Sequence, residues 1–192
     1  MKDELHSAAS SGASLIAAGG MDEQAEARGV FTLEHVRDGK VIHSETFTNT
    51  VMTAGKNVIL DQALAGSSYT VTGPYMGLIS STSYSAISAA DTMSSHAGWL
   101  EAGNANAPTY TGNRKTCAWS SASSGSKALS SALSFAITGT GTIKGCFLVF
   151  FTSASATVDN TSGTLLSAGL FSGGDRAVIN GDTVNVSYSL AL

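Results

Sequence analysis

Two hydrophobic patterns run through the chain. Val184, Val186, Tyr188 and Leu190 alternate with Asn185, Ser187, Ser189 and Ala191, and Leu133, Phe135 and Ile137 alternate with Ser134 and Ala136. A period of two turns one face of a strand to a core and the other to solvent. The stretch Ile143–Phe151 departs from it, because its last six residues, from Cys146 to Phe151, are apolar without a break. Such a run, led in by Gly145 and followed by Thr152-Ser153, predicts a central strand buried on both faces.

Around that strand the pattern predicts further elements. Val30–Val36 and Val41–Phe47 flank Asp38-Gly39, a pair that suits a type I′ turn because both central positions need positive φ. With this loop Val36 faces Val41, Glu34 faces His43, and His35 and His43 fall on opposite faces. Thr53–Ala65 reads as a helix capped by Thr53, with Val58, Ile59, Ala63 and Leu64 on one face and Gly66 at its end. It is expected to cover an open edge or end of a sheet. Tyr75–Ile79 predicts a short core strand. Asp91–Trp99 suggests an Asp-capped turn or two of helix, with Trp99 plugging the edge of the fold. Arg114–Trp119 is a strand candidate, Ser120–Ala128 a flexible low-complexity stretch, and Leu165–Phe171 and Arg176–Ile179 are extended. Eight or so short strands with Gly-bearing turns and one helix predict a mainly β fold, a β-sandwich of jelly-roll or immunoglobulin-like type.

Met1–Arg28 has a different composition, dominated by Ala, Ser and Gly with no sustained period. It reads as an extended N-terminal arm (1–28) ahead of the sandwich domain (29–192). Ordering it would cost on the order of 30 kcal/mol at roughly 1–2 kcal/mol per residue. It lacks the apolar area to offset that alone, so either it is disordered or a partner surface supplies the compensation. Leu5, Leu15, Ile16 and Met21 are its bulky apolar residues and are expected to be the anchors.

Composition narrows the function. Only 12% of the 192 residues are charged and the net charge is −4. A weakly charged, Ser/Thr-rich surface suits dense packing among neighbours. Arg37, Lys40, Arg114 and Lys115 occur in ones and twos, which argues against nucleic acid as a partner. No apolar segment is long enough to span a bilayer, and Asp3 and Glu4 spoil a signal-peptide leader. Cys117 and Cys146 allow at most one bridge, and Cys146 is expected to be a buried free thiol that packs as a small apolar group.

The residues offer little chemistry. His6, His35, His43 and His96 have no metal-ligand spacing, and no Cys-x-x-Cys is present, so neither a metal nor a cofactor is expected. No serine lies in a nucleophile elbow. Glu34, Glu45, Asp91 and Glu101 supply carboxylates, but nothing pairs two of them for glycoside cleavage. Gly139-Thr140-Gly141 lacks the helix and lysine of a phosphate cradle. Asp91 and His96 read as a cap and a loop residue. A non-enzymatic role is expected.

Asp91-Thr92-Met93-Ser94-Ser95-His96-Ala97-Gly98-Trp99-Leu100-Glu101 resembles a stretch of small β-rich virion proteins of tailed bacteriophages. So do Gly163–Asp175, Gly181–Ser187 and the passage Val41–Asp61. The likeness spans Gly29 to the C-terminus and carries no catalytic residues. It implies a capsid decoration, or cement, protein made in the bacterial cytoplasm, bound to the exterior of the major capsid protein shell and stabilising it by bridging subunits. A homodimer or homotrimer is expected, since capsid two-fold and three-fold positions invite one. The alternative is a tail or fibre component whose β-domain recognises a host surface or carbohydrate. Pockets near Tyr69, Tyr84 or Tyr110 would favour it.

Overall fold

The computed structural model describes residues 27–64 and 71–192. The described residues form eleven strands and one helix in the order β1 (Arg28–Arg37), β2 (Lys40–Thr48), β3 (Thr50–Val51), α1 (Thr53–Ala63), β4 (Tyr75–Ser80), β5 (Lys115–Thr116), β6 (Ser126–Ala128), β7 (Leu133–Ala136), β8 (Gly141–Phe150), β9 (Thr164–Leu170), β10 (Arg176–Val178) and β11 (Thr183–Ala191). They build a β-sandwich of two antiparallel sheets. One sheet has the order β2-β1-β11-β6, with β7 also on β11; the other runs β3-β9-β8-β4-β5, with β10 on β8.

β8 is the central strand of the second sheet, and its unbroken apolar run has a direct cause. Cys146, Leu148 and Phe150 point into the main core between the sheets, against Phe31, Leu33, Phe135, Val186 and Tyr188. Phe147 and Val149 point the other way, into a second core with Met52, Ile79, Met93, Trp99 and Leu165. Each face therefore meets its own apolar layer, and no position is left for a polar residue. Trp99, expected at the sandwich edge, instead fills this outer core and is fully buried. Phe151, at φ 63°, ends the strand.

The β1–β2 hairpin forms at Asp38 (φ 50°) and Gly39 (φ 72°), the positive pair that the Asp-Gly turn requires. Its register differs from a plain hairpin. Val36 faces Val41, but the register shifts between His35 and Val36, so that His35 faces His43 and Glu34 faces Ser44. The extra residue, Ile42, is a β-bulge that brings His43 to the same face as His35.

α1 starts one residue after Met52, which holds the cap position without a side-chain hydrogen bond, so Thr53 is not the cap. Gly55 is buried against Leu166 of β9, where an added Cβ would lie 2.8 Å from the Leu166 carbonyl oxygen. Val58 and Ile59 pack on the main core while Leu64 is exposed, so the buried stripe is shorter than expected. Gly66 lies outside the described residues. Asp91–Trp99 forms turns around a Thr92–Ser95 bridge rather than helix. Of Arg114–Trp119 only Lys115–Thr116 is strand. Ser120–Ala128 is ordered: Ser124 and Gly125 turn at positive φ, and Ser126–Ala128 pairs with β11.

Candidate functional site

Most ionisable side chains that the sequence offered for chemistry are consumed in two internal networks and a surface cluster. In the first network, Glu101 and Arg114 form a buried pair, with Nε donating to Oε1 at 2.9 Å and Nη2 to Oε2 at 2.7 Å. The same guanidinium donates to the carbonyls of Ser155 (2.9 Å) and Asn160 (2.6 Å), and the Asp159 N–H donates to Glu101 Oε2. Its carbon also lies 5.4 Å from the centre of the Phe147 ring. One ion pair thereby ties the 101 and 114 loops to the 155–160 loop beside the second core. Burial pushes the Glu101 carboxyl above its ordinary value, against the opposing pull of Arg114.

The second network centres on Asp182, whose carboxylate is buried in the turn before β11. Arg37 donates to it twice at 2.7 Å, His35 Nε2 lies 2.8 Å from Oδ2, and the Ile179 N–H donates at 2.9 Å. An ionised carboxylate only accepts, so His35 carries its proton on Nε2 here. The Arg37 hydrogen bonds hold the Asp182 carboxyl well below the usual carboxylate range, against the opposing effect of burial.

The cluster at the hairpin edge is half-buried. His43 Nε2 lies 3.0 Å from Glu45 Oε1, and Gly173 N–H and Ser172 Oγ donate to Glu45 Oε2. Burial works to raise the Glu45 carboxyl, yet the Gly173, His43 and Ser172 hydrogen bonds bring it below its ordinary value. The Glu34–His43 pairing expected of an unbulged hairpin is not formed. Asp91 accepts from Trp99 Nε1 and from the Ser88 N–H, so it caps a turn and not a helix. His96 stacks on Trp99 at 3.9 Å and donates from Nδ1 to the Trp99 carbonyl. Among the described residues, Glu45, Asp91 and Glu101 thus go to three separate structural ties, and Glu34 stands exposed on β1.

Among the described residues no cluster of His, Cys, Asp and Glu has the arrangement to hold a metal ion. Cys117 and Cys146 are buried free thiols, and burial pushes the Cys117 thiol up to about 12. Neither has the lowered pKa of a reactive thiolate. Leu5, Leu15, Ile16 and Met21, the expected arm anchors, lie outside the described residues, as do His6 and Tyr69. Tyr110 is buried beneath Lys115. Tyr84 lines a groove of about 420 Å³.

Sequence reasoning singled out neither Arg114 nor Asp182 as a node. The available signal was their rarity: in so weakly charged a chain, a charge next to core residues needs a partner. Asn49 was equally silent. It joins β2 to β3 and donates to the Tyr188 hydroxyl at 3.2 Å. No protein-family model, characterised protein or solved structure matches the chain.

Proposed function

We propose that the protein is a structural virion component, a capsid decoration or cement protein that binds the outside of the major capsid protein shell and bridges its subunits. The observation that supports this reading best is the use to which the ionisable residues are put. Glu101–Arg114 ties three loops together at the wall of a small cavity of about 170 Å³, Asp182 ties its turn to His35 and Arg37 of β1, and Glu45 ties β2 to Ser172 and Gly173. A frame stiffened in this way, with two apolar cores on one central sheet, suits transmission of load between neighbours and not turnover of a substrate.

The phage-like segments have the same character. Asp91–Glu101 supplies Asp91, His96, Trp99 and Glu101, all contacts of the second core or its ion pair. Gly163–Asp175 contains β9 and its exit turn, and Gly181–Ser187 contains Asp182 and the start of β11. These segments supply packing, a turn and an ion pair of the sandwich. In this reading the shell contact falls to the N-terminal segment, through Leu5, Leu15, Ile16 and Met21. A protein that binds assembled shell in preference to free subunits adds its binding energy to shell stability, and many copies multiply a modest contact.

The test is a chain lacking residues 1–26 mixed with expanded capsids, with the full-length chain alongside. β1 begins at Arg28, and both cores lie in the described residues, so the shortened chain is expected to fold. It should fail to co-sediment with shells that the full-length chain saturates. Undiminished binding removes the N-terminal segment from the mechanism. Electron microscopy of particles decides placement: hundreds of copies over the shell fit cement, a handful at one vertex a tail component.

A further inference from the structure

The first sheet has an outer face that the proposed shell contact leaves unused. Phe31, Leu33 and His35 point into the sandwich, so Arg28, Val30, Thr32 and Glu34 of the same strand point away from it. The register sets Ser189 and Thr48 beside Val30, and Ser187 and Thr46 beside Thr32. The Thr32 and Thr46 hydroxyls are hydrogen-bonded at 3.2 Å, which ties the two side chains together across the strands. On β6 and β7 the outward positions are serine and alanine. A sheet face turned to water ordinarily carries interspersed charges of both signs. Among the described residues, the outward charges in the strands of this sheet are Arg28 and Glu34, both exposed and flanking Val30 and Thr32 on β1.

From these features we infer that this face binds a second copy of the chain, the two sheets packed face to face about a two-fold axis that crosses the strands at Phe31. Such an axis lays β1 antiparallel over its copy, so position 28 of one chain stands over position 34 of the other. Arg28 then meets Glu34 of the second copy at both ends of the contact, and the uncharged row between them meets itself. Strands stacked in the same direction would instead set Arg28 over Arg28 and Glu34 over Glu34, which charge repulsion disfavours. The face is four strands wide and about nine residues long. At about 4.8 Å per strand and about 3.3 Å per residue it covers roughly 600 Å² per copy. The two copies together bury about 1,200 Å², the lower end for a specific interface, so the dimer is a weak one. This surface does not rest on shell attachment by the N-terminal segment, and either claim can fail without the other.

The test is sedimentation equilibrium of the full-length chain from about 1 to 500 μM, where a monomer–dimer equilibrium with a Kd on the order of 10–100 μM is expected. Thr32→Lys and Ser187→Lys, each at an outward position in the middle of the face, should leave the chain monomeric throughout. Their urea midpoints, measured on dilute protein, should match the parent, which separates loss of the contact from loss of the fold. Glu34→Arg alone and Arg28→Glu alone should each raise the Kd roughly tenfold or more by opposing like charges. Combined, the two substitutions should bring it back to within about threefold of the parent, because the pair is restored with its signs exchanged. The inference is overturned if the chain stays monomeric at about 500 μM, or if it assembles as a trimer. It is also overturned if Thr32→Lys dimerises like the parent, or if the charge-exchanged double variant is no tighter than the single ones.

Discussion

Replacing Arg114 with methionine removes five interactions at once: two hydrogen bonds to Glu101, one each to the Ser155 and Asn160 carbonyls, and the contact with the Phe147 ring. Among the described residues, Glu101, 3% exposed, then keeps the Asp159 N–H alone as a charge-stabilising donor. Breaking a buried pair from one side costs about 3–5 kcal/mol, because the remaining charge is left without compensation. The two carbonyls add less, since Ser155 and Asn160 are only half-buried and water can reach them. For a domain of this size, about 3–5 kcal/mol lowers Tm by roughly 6–20 °C. The assay is urea and thermal unfolding followed by the fluorescence of Trp99, which sits in the adjoining second core.

The pH dependence gives this prediction its signature. Burial already holds the Glu101 carboxyl above its ordinary value, and loss of Arg114 pushes it higher. A carboxyl whose folded pKa lies above its unfolded one is destabilising when ionised, and the penalty fades as pH falls through the folded value. The gap between Arg114→Met and the parent should therefore be widest at neutral pH and shrink toward the acid range. Glu101→Leu combined with Arg114→Met should cost less than Arg114→Met alone, which a double-mutant cycle resolves. A loss below about 1 kcal/mol at neutral pH, the level of an exposed pair, or a gap that widens in acid, would refute the reasoning.

Asp182 predicts the opposite slope. Its folded pKa is depressed, so its stabilisation is complete above the unfolded carboxyl value and is lost as pH falls toward the folded one. Asp182→Asn should cost about 2 kcal/mol at neutral pH and flatten the acid limb of a stability-versus-pH curve from urea titrations. A parallel, unflattened limb would show that other groups govern acid unfolding. Gly145→Ala tests the centre of the fold: an added Cβ would collide with the Gly169 carbonyl oxygen on β9, a backbone atom that cannot swing away. The expected cost is about 3 kcal/mol or more, measured by urea unfolding, and a loss under 1 kcal/mol would mean that β8 and β9 separate easily.

Period and turn chemistry determined much of this protein from sequence alone. The alternating β11, the doubly buried β8, the Asp38-Gly39 turn, the mainly β class and the existence of α1 all follow from local rules, because side-chain direction and positive φ are fixed within a few residues. What failed was whatever depended on a partner distant in sequence. The Ile42 bulge turned His43 to the face of His35, since a single extra residue flips every side chain beyond it. Asp91–Trp99 gave up its helix because Asp91 is held by Trp99 Nε1 instead of capping a first turn. Ser120–Ala128 became ordered because β11 offered its edge. Arg114 found Glu101 thirteen residues away, and Asp182 found His35 across 147. Only the tertiary structure could decide those pairings, since a charge or polar group in a core settles where burial and hydrogen bonding are satisfied together, and that place is set by the packing of the two sheets.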